Sequence, residues 1–190
     1  MPLPEPKRAR EPLHRRSIEI RGYKRDDGLF DVEAHLVDTK DNDFKLAAGV
    51  RAAGQPIHEM WLRITIDRNL VIVDADASTD AMPYVGECDS IVPDYRKLIG
   101  VAIRPGYVQK LKELFGGVRG CTHITELAGA LATGAFQTLA GQRVQDSDRK
   151  PFQLDKCHAL DTTGAAVARF YPKWYTGSDK IEAAGEGDHH

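Results

Sequence analysis

The stretch from His58 to Asp67 alternates strictly, and this constrains the fold more than any other feature. Met60, Leu62, Ile64 and Ile66 fall on one side of an extended chain, while Glu59, Arg63, Thr65 and Asp67 fall on the other. Successive side chains of a strand point to opposite faces, so this pattern predicts a strand with one face on a core and one in water. Phe30, Val32, Ala34 and Leu36 repeat the pattern within Leu29 to Thr39. Ser17 to Arg25 carries Ile18 and Ile20 at the same period, and Leu70 to Ser78 supplies a fourth segment. Asp26-Asp27-Gly28 and Arg68-Asn69 are the turn signals between neighbours. Two amphipathic hairpins predict an antiparallel sheet of about four strands with one covered face.

The cover is expected from the second half of the chain. From Thr122 to about Arg143, Ile124, Leu127, Leu131, Ala135 and Leu139 form a helical stripe, with Gly129 and Gly134 positioned for close packing. Pro93 to Ala102 and Pro105 to Phe115 predict two shorter helices, the second stopped by Gly116-Gly117. Strands first and helices after give an α+β layer fold, with a long helix and two shorter ones covering the sheet. Residues 1–16 hold four prolines and a run of bases and read as a flexible N-terminal arm. Residues 17–175 read as a single α+β domain and 176–190 as a disordered tail. The chain has 190 residues, which suits one such domain.

Composition narrows the function. With 26 basic and 28 acidic side chains, a formal charge of −2 argues against nucleic-acid binding and suits a small-molecule ligand. Three widely spaced cysteines, Cys88, Cys121 and Cys157, indicate neither a disulfide framework nor a zinc ribbon. No apolar run approaches the roughly 18–20 residues of a membrane span, and the start lacks the apolar core of a signal peptide. A cytoplasmic protein without membrane contact is expected. The core and the arm make a homodimer plausible, although no periodic seam identifies an interface.

The chemistry concentrates in Gly116-Gly117-Val118-Arg119-Gly120-Cys121-Thr122-His123-Ile124-Thr125-Glu126-Leu127, which places a thiol, an imidazole, a guanidinium and a carboxylate at a helix start. Thr122 is the expected N-cap, and the positive end of the helix favours an anion there. Cys121 is either a nucleophile with a thiol acidified by the helix or a buried structural thiol. Glu126, three residues after His123, either orients its imidazole or makes a simple helix-start pair. Arg119 either holds a carboxylate or phenolate or pairs at the surface. His58 falls on the apolar face of its strand, as a satisfied core imidazole or as an acid–base group facing His123 across one cavity. On the loop joining the sheet to the helices, Tyr84 either donates a proton or packs. A zinc or iron centre would have to gather His58, Cys88, Cys121 and His123 from separate elements.

The strings Gly54-Gln55-Pro56-Ile57-His58-Glu59-Met60, Pro83-Tyr84 with Cys88, Gly120-Cys121-Thr122-His123 and Cys157-His158-Ala159-Leu160 together resemble a bacterial family catalogued as domain of unknown function 2889, from about Arg15 to Tyr175. Some relatives sit among genes for breakdown of lignin-derived aromatic dimers, where cofactor-independent formaldehyde-releasing lyases operate. The resemblance therefore implies a small-molecule aromatic substrate, no cofactor and no resident metal. It implies one of His58 and His123 as base and the other as acid, with Arg119, Tyr84 and the N–H groups near Thr122 stabilising a phenolate. Glu59, Cys88, Cys121, Thr122 and Glu126 are the substrate-binding residues on that reading. A metal-dependent enzyme with a His/Cys site and a non-catalytic binding or oligomerisation module are the alternatives.

Overall fold

Four long strands pair in the order β1-β2-β5-β6, every pair antiparallel, in a computed structural model that describes residues 3–142 and 148–177. They are β1 (His14–Lys24), β2 (Phe30–Lys40), β5 (Pro56–Ile66) and β6 (Ile72–Ala81). Between β2 and β5 lies an additional small hairpin, β3 (Phe44–Leu46) with β4 (Gly49–Arg51), which the alternation did not signal. The turn at Asp26-Asp27-Gly28 closes β1 on β2: Gly28 takes φ 84°, and the Asp27 carboxylate accepts the Leu29 N–H at 3.1 Å. At the β5–β6 turn the Asp67 carboxylate accepts the N–H groups of Asn69 and Val71, both at 2.8 Å. That grip holds Leu70 at φ 63°, a conformation rare for a branched side chain.

Strand β1 begins three residues before the expected sheet boundary. His14 pairs with Lys40 and Arg16 with Asp38, so the last residues assigned to the arm are part of the sheet. Residues 3–13 are exposed and form neither helix nor strand, while Met1 and Pro2 lie outside the described residues.

The inner face of the sheet carries Phe30, Val32, Ala34, Leu36, Met60, Leu62, Ile64, Ile66, Ile72 and Ala75, all buried. The long helix α2 (Thr122–Leu139) lies on this face, and its stripe Ile124, Leu127, Leu131, Ala135 and Leu139 is buried in full. Each isoleucine or leucine of the stripe contributes about 1.5–3 kcal/mol by leaving water. The helix approaches β1 closely at one level. A Cβ on Gly134 would stand 2.6 Å from Ile20, and one on Gly22 would overlap Thr138, whereas Gly129 faces open space. The shorter helix α1 (Tyr107–Phe115) buries Tyr107, Leu111 and Phe115, and the Tyr107 hydroxyl donates to the Ala128 carbonyl at 3.1 Å.

The helix expected from Pro93 to Ala102 is instead a 3₁₀ helix, Val92–Leu98. Its two buried residues, Tyr95 and Leu98, are three apart, which matches three residues per turn, and Gly100 at φ 85° then turns the chain so that Ala102 bridges Val71. By their internal contacts the described residues group into two compact units, one within 1–143 and one within 144–190. The second has its own buried residues, Leu154, Thr162 and Val167, with a short helix α3 (Ala165–Phe170). Its Asp155 carboxylate binds the backbone and hydroxyl of Thr162 at 2.9 Å and Lys150 at 2.6 Å. Of the expected tail, Thr176 still bonds to Thr162 at 2.9 Å, and residues from 178 onward lie outside the described residues.

Candidate functional site

The inner face ends in a polar row. Register aligns Arg16 of β1 with Asp38 of β2, and Asp38 with His58 of β5. All three share the phase of their strands' apolar residues: Arg16 precedes Ile18 and Ile20, Asp38 follows Leu36, and His58 precedes Met60. A charged group on the covered face needs partners, because burying a carboxylate alone is prohibitive.

Asp38 has four such bonds. His14 Nε2 at 3.0 Å and Arg16 Nε at 2.8 Å donate to Oδ1, while Arg16 Nη2 at 2.7 Å and His58 Nδ1 at 3.2 Å donate to Oδ2. The residue is 3% exposed. Burial alone would push its carboxyl up, but the bonds from Arg16 and His14 and the guanidinium charge outweigh it and hold the group down at about 2. An ionised carboxylate facing His58 Nδ1 keeps a proton on that nitrogen, which leaves Nε2 as the basic atom of the neutral ring.

The first turn of α2 lies over this row. The His123 ring stacks on His58 with centroids 3.9 Å apart and planes inclined by 29°. Its Nε2 stands 3.6 Å from Asp38 Oδ2, too long for a direct hydrogen bond. Desolvation lowers both imidazoles below their ordinary value. For His123 the neighbouring charges of His58 and Arg16 add to it, and the ring falls to about 4. Both rings are neutral at pH 7. Each side chain retains 20% exposure, so both can meet a bound molecule.

Tyr95 fixes the start of α2. Its hydroxyl donates to the Cys121 carbonyl at 2.8 Å, accepts the Cys121 N–H at 3.0 Å and bonds to Thr125 Oγ1 at 2.7 Å. Cys121, not the expected Thr122, occupies the N-cap, with no side-chain capping bond, and Thr122 is exposed. The tyrosine thus does from another element what a capping side chain does locally.

The remaining expected residues are dispersed. Glu126 pairs with Arg16 rather than with His123, which ties α2 to β1. Glu59 points to the opposite face of the sheet and accepts from His35 Nε2 at 3.0 Å, where His35 stacks on Trp61. Strand alternation dictates this, since Glu59 adjoins His58. Arg119 is exposed and donates to the Lys112 carbonyl at 3.2 Å. Tyr84, 57% exposed, and Cys88 stay together on the loop after β6, and no hydrogen bond among the described residues joins either to the histidine pair. Two surface hollows lie elsewhere, one on the outer face around Trp61, Arg63 and Asp76, and one in the second unit around Cys157 and His158.

Asp38, Arg16 and His14 were not anticipated from the sequence. Their signal was available for two of them: a charge in phase with an apolar stripe, the same observation that singled out His58.

Among the described residues, Asp38, His58 and His123 form the one group of three or more histidine, cysteine or acidic residues able to approach a cation together, their ligand atoms all within 4.8 Å. Cys88 and Cys121 do not join that group. The donor set fits a cation poorly. The four bonds on Asp38 occupy the roughly four acceptor positions of a carboxylate, and one donor is a permanent cation. The arrangement favours proton transfer by imidazole. No helix of the described residues is long and apolar enough to cross a membrane.

The residues of this cluster, from His14 to Glu126, fall within one stretch of recognisable ancestry. No curated protein and no solved structure matches the chain. The profile of the proteins of unknown function DUF2889 matches residues 14–137, which is the sheet with α1 and nearly all of α2, and stops short of the Cys157-His158 string. The chain belongs to the DUF2889 family.

Proposed function

We propose that the protein is a cofactor-independent carbon–carbon lyase that releases formaldehyde from a lignin-derived aromatic dimer and leaves a stilbene. The observation that carries this reading is the Asp38–His58 bond beneath the stacked His123, which defines a neutral, oriented imidazole base in a partly desolvated site. The substrate class in this proposal is the one the resemblance noted above implies.

His58 Nε2 removes the proton of a hydroxymethyl O–H. The C–C bond to the hydroxymethyl carbon breaks, formaldehyde departs, and the freed electron pair forms the stilbene double bond while the adjacent carbon–oxygen bond to the second ring breaks. The imidazolium at His58, stabilised by Asp38, returns its proton to the departing phenolate. Atoms and electrons balance without a redox partner. His123 lies against the base and limits water around it, and its own neutral ring is a second acceptor. This division of labour replaces a fixed acid and base with one imidazole that performs both steps.

The test is incubation of chelated, metal-analysed protein with dimers bearing a hydroxymethyl group, following formaldehyde and near-ultraviolet stilbene absorbance. Turnover by the wild type and a loss of at least about 10²-fold in His58→Gln support the reading. The second reading is a metal-dependent enzyme: Asp38, His58 and His123 have ligand atoms within 4.8 Å of one another, but the four bonds on Asp38 weigh against it. Turnover that appears only on adding a divalent metal, or that is equal in wild type and His58→Gln, would overturn the first.

A further inference from the structure

Beside the histidine pair, the Cys121 sulfur lies close to two further soft or borderline donors, one on each side, without involving the saturated Asp38. Cys121 Sγ lies 3.8 Å from Met60 Sδ and 3.9 Å from His123 Nδ1. Met60 is two residues along β5 from His58 and therefore on the same inner face, and Cys121 and His123 flank the first residue of α2. An ion with bonds of about 2.3 Å to sulfur and 2.0–2.1 Å to nitrogen holds such ligands roughly 3.5–3.9 Å apart. The two separations already lie in that range.

We infer that Cys121, His123 and Met60 form a binding site for a thiophilic monovalent ion, copper(I) in the first instance. The donor types select it, since thiolate with thioether favours copper(I) over hard cations. Charge selects it as well. When the Cys121 S–H yields its proton to solvent and the sulfur binds a monovalent ion, the pair is neutral. A divalent ion would leave a net positive charge on the pair in a partly desolvated place. Met60 is 1% exposed and offers only a thioether, a ligand that magnesium and calcium, which take oxygen, do not use. With Nδ1 on the ion, the Nε2–H of His123 stays on the side of Asp38, 3.6 Å from Oδ2, beyond a direct hydrogen bond. The inference does not rest on the lyase reading, because binding is measured without substrate.

The experiment is an anaerobic copper(I) titration of the full chain against a chromophoric copper(I) chelator. Cys88→Ser and Cys157→Ser are present throughout to remove the other thiols. One equivalent per chain, retained against the chelator, is expected. Cys121→Ser should abolish it, and Met60→Leu and His123→Gln should each weaken it at least about tenfold, the least that loss of even an outer partner costs a metal site. Circular dichroism of each variant verifies folding, and Met60→Leu conserves volume. X-ray absorption of the loaded parent should count two sulfur neighbours and one imidazole nitrogen. Failure to hold one equivalent, affinities unchanged in Met60→Leu and His123→Gln, or a single sulfur neighbour would each overturn the site.

Discussion

His123, in the first turn of α2, stacks its imidazole on His58 of β5 at 3.9 Å between centroids, and both rings face the single carboxylate of Asp38. Two neutral rings tolerate this contact, whereas a proton on either meets a desolvated neighbour and the Arg16 charge. The consequence is a pH dependence of stability with a definite sign. An unfolded histidine titrates near 6.5, and His123 in the fold titrates at about 4. Between those values the unfolded chain holds a proton that the folded chain lacks. Stability therefore falls as pH drops through that window, by up to about 1.4 kcal/mol per pH unit for one group. His58, also lowered, adds in the same direction. Urea unfolding at pH 7, 6 and 5 should show the decline, and His123→Gln should flatten it.

Asp38 and Glu126 both bind Arg16, yet they differ in burial: the Asp38 side chain is 4% exposed and that of Glu126 is 41%. Asp38→Asn leaves a guanidinium and two histidine donors around a neutral amide, and breaking a buried pair in this way costs about 3–5 kcal/mol. Glu126→Gln removes an exposed partner and should cost at most about 1 kcal/mol. Denaturant midpoints of the two variants at pH 7 test the contrast, and equal shifts would contradict the role given to Asp38.

The glycines of α2 give predictions of opposite sign. At Gly129 a Cβ meets nothing, so Gly129→Ala should stabilise the protein by about 0.5–1 kcal/mol through helix propensity. At Gly134 a Cβ would press on Ile20 at 2.6 Å. The propensity gain is then outweighed by overpacking of about 1–3 kcal/mol, and Gly134→Ala should lower the melting temperature.

The sheet and its cover were legible because their causes are local. Period-two alternation marks β2 and β5, Asp26-Asp27-Gly28 marks the first turn, and the stripe from Ile124 to Leu139 marks α2. His58 was conspicuous as an imidazole on an apolar phase. Asp38 has the same phase in β2, but its meaning depends on cross-strand register with Arg16 and His58, which is a long-range quantity. His14 and Arg16 were lost among the prolines and bases before them, since the apolar residues of β1 begin only at Ile18. Glu59 lies on the face opposite His58, as its own alternation dictates, and pairs there with His35. The support from Tyr95 was equally hidden, because it joins a 3₁₀ helix to a helix start 26 residues later.

That support gives the last prediction. Tyr95 is fully buried, and desolvation raises its hydroxyl to about 12, so it stays protonated and bonded at all ordinary pH. Tyr95→Phe keeps the ring, which stacks on Phe115 at 4.5 Å, and removes only the oxygen. The Cys121 N–H and carbonyl and the Thr125 hydroxyl then lose a partner, at a cost of about 1–3 kcal/mol. The start of α2 also loosens, and with it the position of His123 over His58. If the pair acts in catalysis, Tyr95→Phe should lower kcat more than it raises KM, because the substrate still binds while the base is less well held. Histidine ring resonances in solution NMR provide a readout without substrate. The His123 signals should shift and broaden in Tyr95→Phe while those of His35, on the opposite face of the sheet, stay in place.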